Sequence, residues 1–147
     1  MPERRIRIPA DKVLFVKSML NDREGKGPFE LQAQVIAFAA AYGAKYGERL
    51  PFSKTGEPIR YGVFVGEKLD TLINLLAITH TGDPKILARN DEMEDLRATI
   101  FEEFANSGLS LLEDKLKGEV KYTQSLLLMM KDTQAGGDEV ESLVGIF

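Results

Sequence analysis

Polar and apolar residues alternate over residues 3–8, Glu-Arg-Arg-Ile-Arg-Ile. Ile6 and Ile8 therefore share one face and Arg5 and Arg7 the other, which is the period of a strand. Pro9 follows where its fixed φ and missing N–H suit the first turn of a helix. That helix is predicted from about Pro9 to Asn21, with Val13, Val16 and Leu20 on one face and Asp11 in its first turn. Arg23 to Pro28 reads as a loop. A second helix is predicted from about Phe29 to Lys45. Leu31, Val35, Phe38, Ala39 and Tyr42 form its stripe, while Ile36, Ala37, Ala40 and Ala41 fill the other sides. A helix that is apolar nearly all round is a central one, and Gly43 and Gly47 mark its expected end.

Residues 48–60 read as a loop, and Tyr61 to Val65 as a short strand or a buried connector. A third helix is expected over Glu67 to Ile78, then a turn over Thr79 to Pro84 and a short helix over Pro84 to Arg89. Asn90 is a good N-cap, and Asp91, Glu92 and Glu94 place negative charge in the turn that follows. Met93, Leu96, Ile100, Phe101 and Phe104 carry that helix to about Asn106, with Gly108 as its stop. Leu109, Leu112 and Leu116 mark another helix closed by Gly118, and Tyr122 to Lys131 a last one. The predicted fold is mainly α: a single helical domain over residues 1–131 with a short N-terminal β-strand. An acidic C-terminal tail over 132–147 follows. No internal repeat or low-complexity tract interrupts it.

Charge adds an asymmetry. The chain has 147 residues and a net charge of −4. Residues 1–60 carry 11 Lys and Arg against 7 Asp and Glu, a net of +4, whereas residues 61–147 carry 8 against 16, a net of −8. Two surfaces with different partners would produce this, as would simple solvation of both halves. There is no cysteine, which excludes a disulfide framework, a thiol nucleophile and a Cys-ligated metal or iron–sulfur centre. The one histidine, His80, leaves almost no material for a multi-histidine metal site or a Ser-His-Asp triad. It sits near Thr79, Thr81 and Asp83, and reads as a cap or surface residue. Glu102 and Glu103 are adjacent, so they point about 100° apart on a helix and cannot share a metal or a proton. No cofactor is expected. The longest apolar run, Val35 to Tyr42, has eight residues, against about 20 for a bilayer span. With no leader-like N-terminus, the expectation is a soluble cytoplasmic protein.

The strongest local pattern lies at the front. Strand, proline-started helix, glycine-containing loop and second helix over residues 4–46 follow the order of a ribbon-helix-helix DNA-binding unit. In that arrangement two chains pair their strands across a two-fold axis, and the ribbon enters the major groove. Ile6 and Ile8 would join the dimer core. Arg5 and Arg7, with Arg4 and Lys26, would reach duplex DNA. Helix amides after Lys26-Gly27-Pro28 would face a phosphate, less the one that Pro28 lacks. The alternative is an edge strand that pairs within its own chain. At the other end, Asp138-Glu139-Val140-Glu141 leads to an apolar terminus whose Ile146 and Phe147 either dock a partner protein or fold back onto this chain.

Several segments together resemble the DNA phosphorothioation-associated protein 4 family, also called Dnd system-associated protein 4. They are Arg5-Ile6-Arg7-Ile8 with Asp11-Lys12, Gly27-Pro28-Phe29, Ala37-Phe38-Ala39-Ala40, Glu57-Pro58-Ile59, Thr71 to Ala77, and Ile100 to Leu109. The resemblance spans about residues 4–130. It implies association with systems that replace a non-bridging DNA phosphate oxygen by sulfur and with the linked restriction of unmodified DNA. It carries no catalytic residues. Such sulfur chemistry is expected to need cysteines and an iron–sulfur centre, so the implied role is that of a non-enzymatic accessory protein. Its expected partners are DNA, a second copy of the chain and other subunits of the modification/restriction system. The alternative is a protein-interaction subunit without DNA contact, docking through its acidic C-terminal half.

Overall fold

The computed structural model describes residues 4–21, 27–117 and 122–134. In chain order its elements are β1 (Arg5–Ile6), a 3-10 turn (Ala10–Lys12), α1 (Val13–Ser18), α2 (Gln32–Tyr46), β2 (Ile59–Arg60) and α3 (Tyr61–Gly66). After these come α4 (Asp70–Thr81), a second 3-10 turn (Pro84–Leu87), α5 (Asp91–Leu116) and α6 (Tyr122–Gln134). The mainly helical architecture with an N-terminal strand matches the pattern of the sequence. Ile146, Phe147 and the rest of the tail beyond Gln134 lie outside the described residues.

Two helices form the frame. The alanine-rich α2 is buried on almost every side, as its composition predicts, and packs chiefly along α5. Gly47 caps the C-terminal end of α2 as expected, but Gly43 and Gly108 do not end their helices. α2 runs through Gly43 to Tyr46, and α5 runs unbroken through Gly108 for 26 residues. A Cβ on Gly108 would lie 1.7 Å from the carbonyl oxygen of Ala39. One on Gly43 would lie 2.1 Å from that of Phe104 and 2.7 Å from the amide nitrogen of Gly108. The two glycines thus let the helix backbones touch. Their small size, rather than their freedom of φ, is what the fold uses.

Against this frame α4 lays Leu72, Ile73, Leu76 and Ala77. Phe64 from α3 meets Phe101 edge-on, with ring centroids 5.6 Å apart, a geometry worth ~0.5–1.5 kcal/mol beyond the buried area. The stretch Tyr61 to Val65 is therefore a helix rather than a strand. Lys68, with a φ of 61°, turns the chain between α3 and α4, which is why α4 begins later than its apolar pattern suggests. The N-cap role of Asn90 holds: its Oδ1 accepts from the Met93 amide at 2.8 Å. Asn90→Ala is expected to lower stability by about 1 kcal/mol, measurable by urea denaturation with an unchanged slope.

The strand-helix-helix order over residues 4–46 is present, but the strand's partner is a correction to the ribbon-helix-helix expectation. β1 pairs antiparallel with β2 of the same chain, Arg5 opposite Arg60 and Ile6 opposite Ile59. Ile6 and Ile8 are fully buried in the chain's own core. The need to bury them, which motivated a strand-paired dimer, is met within one molecule. β2 itself falls in the segment whose prolines and charges read as a loop.

Candidate nucleic-acid interface

β1 is held along both edges. On the β2 side, Tyr61 N–H donates to the Arg4 carbonyl at 2.8 Å and Gly56 N–H to the Ile8 carbonyl at 2.9 Å. On the opposite side, where a second strand would have to add, Arg7 N–H donates to Oε2 of Glu102 at 2.6 Å. The Arg7 Nε and Nη2 groups donate to Oε1 of the same carboxylate at 3.1 and 2.9 Å. The Arg7 guanidinium also lies over the Phe52 ring, 5.0 Å from its centroid. Glu102 is 3% exposed, on the α5 face that carries Phe101 and Ala105 into the core. The pair is pushed in two directions. Hydrogen bonding to Glu102 raises the Arg7 pKa further above its ordinary value. On Glu102, burial outweighs the bonds and charge of Arg7 and pushes the carboxyl above the usual carboxylate range.

Arg4 is also engaged. It hydrogen-bonds Asp95 and lies within 3.4 Å of Glu94 and 3.8 Å of Asp91, all on the first turns of α5. These contacts raise its pKa, the Asp95 hydrogen bond most. With Asp91 and Asp95 largely exposed, such pairs are worth ~0–1 kcal/mol each; their role is to seat the ribbon on α5.

Of the four cations singled out from the sequence, Arg4 and Arg7 face acids of α5, Lys26 lies outside the described residues, and Arg5 is exposed to solvent. Arg5 meets a residue the sequence reading missed. Arg60 stands directly opposite it across the ribbon, where side chains start about 4.5–5.5 Å apart at Cβ. Lys17 of α1 joins them at a groove of about 470 Å3, whose floor is built by Ile8, Val13, Pro58 and Val63. Among the described residues, none of these three cations makes an ion pair or hydrogen bond. Glu57 is the one acid lining the groove and pairs with none of them. The signal for Arg60 was in the chain: Ile59-Arg60 repeats the in/out alternation of Ile6-Arg7, masked by the prolines before it.

His80 is in the last turn of α4 and exposed, edge-on to Phe104 with ring centroids 5.2 Å apart. Its Nε2 is 3.4 Å from Nη1 of Arg49, whose Nε donates to Glu103 at 2.7 Å. Asp83 caps the second 3-10 turn by accepting from Lys85 N–H at 3.0 Å. Among the described residues no three His, Cys, Asp or Glu gather as a metal site, and no helix is long and apolar enough to cross a membrane.

A family model described as DNA sulphur modification system-associated protein 4 matches residues 5–143. No curated protein and no solved structure matches the chain.

Proposed function

The chain belongs to the DNA sulphur modification system-associated protein 4 family, and from that premise we propose that it serves such a system as a non-catalytic accessory subunit contacting duplex DNA. Its protein partners in this reading are the other subunits of the system. One observation carries the DNA contact: among the described residues, the ribbon face retains Arg5 and Arg60 without acidic partners, in a protein whose net charge is −4. Like charges directly opposite on a ribbon destabilise it, and an anionic ligand relieves that cost. Arg4 and Arg7 take a positioning role by fixing β1 on α5. Lys26 remains in the proposed contact set. The absence of cysteine from the whole chain fits a role beside the sulfur chemistry rather than in it.

The test is fluorescence anisotropy of a labelled duplex, titrated between about 50 and 200 mM salt. Binding is expected, falling steeply with salt, and Arg5→Ala should flatten the log–log slope by about 0.9. No binding by the wild type at the lowest salt would overturn the DNA reading. Capture of another subunit of the system, lost on removal of the last five residues, would favour the second reading. That reading is docking through the acidic C-terminal half with Ile146 and Phe147.

A further inference from the structure

The geometry points to a phosphate clamp: Arg5, Arg60 and Lys17 bind the sugar–phosphate backbone of DNA, and the protein grips the duplex without reading bases. This rests on the DNA-contact reading above and specifies its chemistry.

Four arginines of the chain are engaged by other parts of the fold. Arg4 pairs with Asp91, Glu94 and Asp95, Arg7 with Glu102, and Arg49 with Glu103. Arg97 donates to the carbonyls of Ile86 and Ala88 at 2.5 and 2.9 Å. Arg5 and Arg60 receive no such partner among the described residues, although the fold sets them face to face on adjacent strands. Lys17 stands on the same groove one helical turn after Val13, which also lines it. A guanidinium offers five N–H donors in a rigid fork and an ammonium three. Converging from two strands and a helix, they suit the several acceptor oxygens of a phosphate better than a planar carboxylate. Gln32, the first residue of α2, lines the groove too, so the positive end of that helix adds to the same field.

The shape of the groove bears on what the cations can reach. Base edges lie at the floor of a groove about 8.5 Å deep, reached by a protruding helix or a long ribbon. Here the ribbon has two residues per strand. It lies against the core, and the cations line a concavity rather than a ridge. A concave cationic groove fits the convex phosphate backbone. Contacts of that kind position a protein on DNA and carry no sequence information.

The experiment compares the wild type with Arg5→Gln/Arg60→Gln, Lys17→Gln and the control Arg89→Gln, a solvent-exposed arginine outside the groove. Two readouts are used: duplex anisotropy against salt, and thermal shift with inorganic pyrophosphate. Each lost contact should flatten the log–log salt slope by about 0.9, hence about 1.8 for the double variant. The loss should be the same on duplexes of unrelated sequence, and Arg89→Gln should behave as wild type. Pyrophosphate should raise the wild-type Tm and leave the double variant's unmoved. Duplex binding by the double variant equal to wild type, or a loss confined to one DNA sequence, would overturn the clamp while leaving the DNA reading intact. A pyrophosphate shift that needs Arg5 and Arg60, with no duplex binding, would uphold the phosphate site and sink the DNA reading. No response to either probe would overturn both.

Discussion

Gly108→Ala should be among the most damaging single-methyl changes in this protein. The added Cβ would sit 1.7 Å from the Ala39 carbonyl oxygen and 2.5 Å from its carbon. These are backbone atoms of a buried helix, so no side chain can rotate away. α2 and α5 must separate, which loosens the main contact of the fold. Overpacking of this kind costs about 1–3 kcal/mol and more where backbone must move. The gain in helix propensity from Gly to Ala, about 1 kcal/mol, only partly offsets it. With the cost at or above the upper end of that range, the net loss is expected to be about 2 kcal/mol or more, a fall of roughly 6 °C or more in Tm. Gly43→Ala, facing the Phe104 carbonyl at 2.1 Å, should behave alike. Gly66→Ala is the control, because a Cβ there meets nothing within 4 Å. Equal Tm values for all three variants would show that the helices do not touch through these glycines.

Glu102→Ala should cost a similar amount by a different route. It strands the Arg7 amide, which bonds Oε2 at 2.6 Å, and an unsatisfied buried donor costs about 1–3 kcal/mol. The guanidinium adds less, because the Arg7 side chain is 43% exposed and water screens and solvates it once the carboxylate is gone. A loss of about 2–3 kcal/mol is expected, with the front ribbon loosened and exchange of its amides accelerated. Glu102→Gln should be milder, since the amide oxygen still accepts. The two also differ with pH. Because burial pushes the Glu102 carboxyl up, the folded chain holds that proton where the unfolded chain has released it. Its contribution to stability therefore declines as pH rises from the ordinary Glu range through the raised folded value. Glu102→Gln has no such decline, so its deficit against wild type should narrow over that window. A deficit that widens with rising pH would mean that Arg7 outweighs burial.

The segments that carried the family resemblance are largely those that build this interior. Arg5 to Ile8 forms the ribbon and its Glu102 latch. Ala37 to Ala40 and Ile100 to Leu109 include the two sides of the glycine contact. Thr71 to Ala77 contains the buried residues of α4. Their spacing reflects packing, which is why they identified a family without identifying a reaction.

The sequence by itself determined what depends on near neighbours along the chain. The strand alternation of Arg5 to Ile8, the burial of α2 on almost every side and the Asn90 cap are short-range physics, and each stands in the structure. Tertiary structure decided what depends on residues far apart. Gly108 looks locally like a helix stop; only the approach of Ala39, far away in sequence, makes it a contact point. Arg4, Arg5 and Arg7 are equivalent cations in the sequence. Their fates diverge because the fold brings Asp95 and Glu102 to two of them and sets Arg60, a like charge, opposite the third. Glu102 gave no sign of its burial, since its partner lies 95 positions away. Local periodicity assigns a face to each residue, but which charges are paired by acids of another element is settled only when the elements pack.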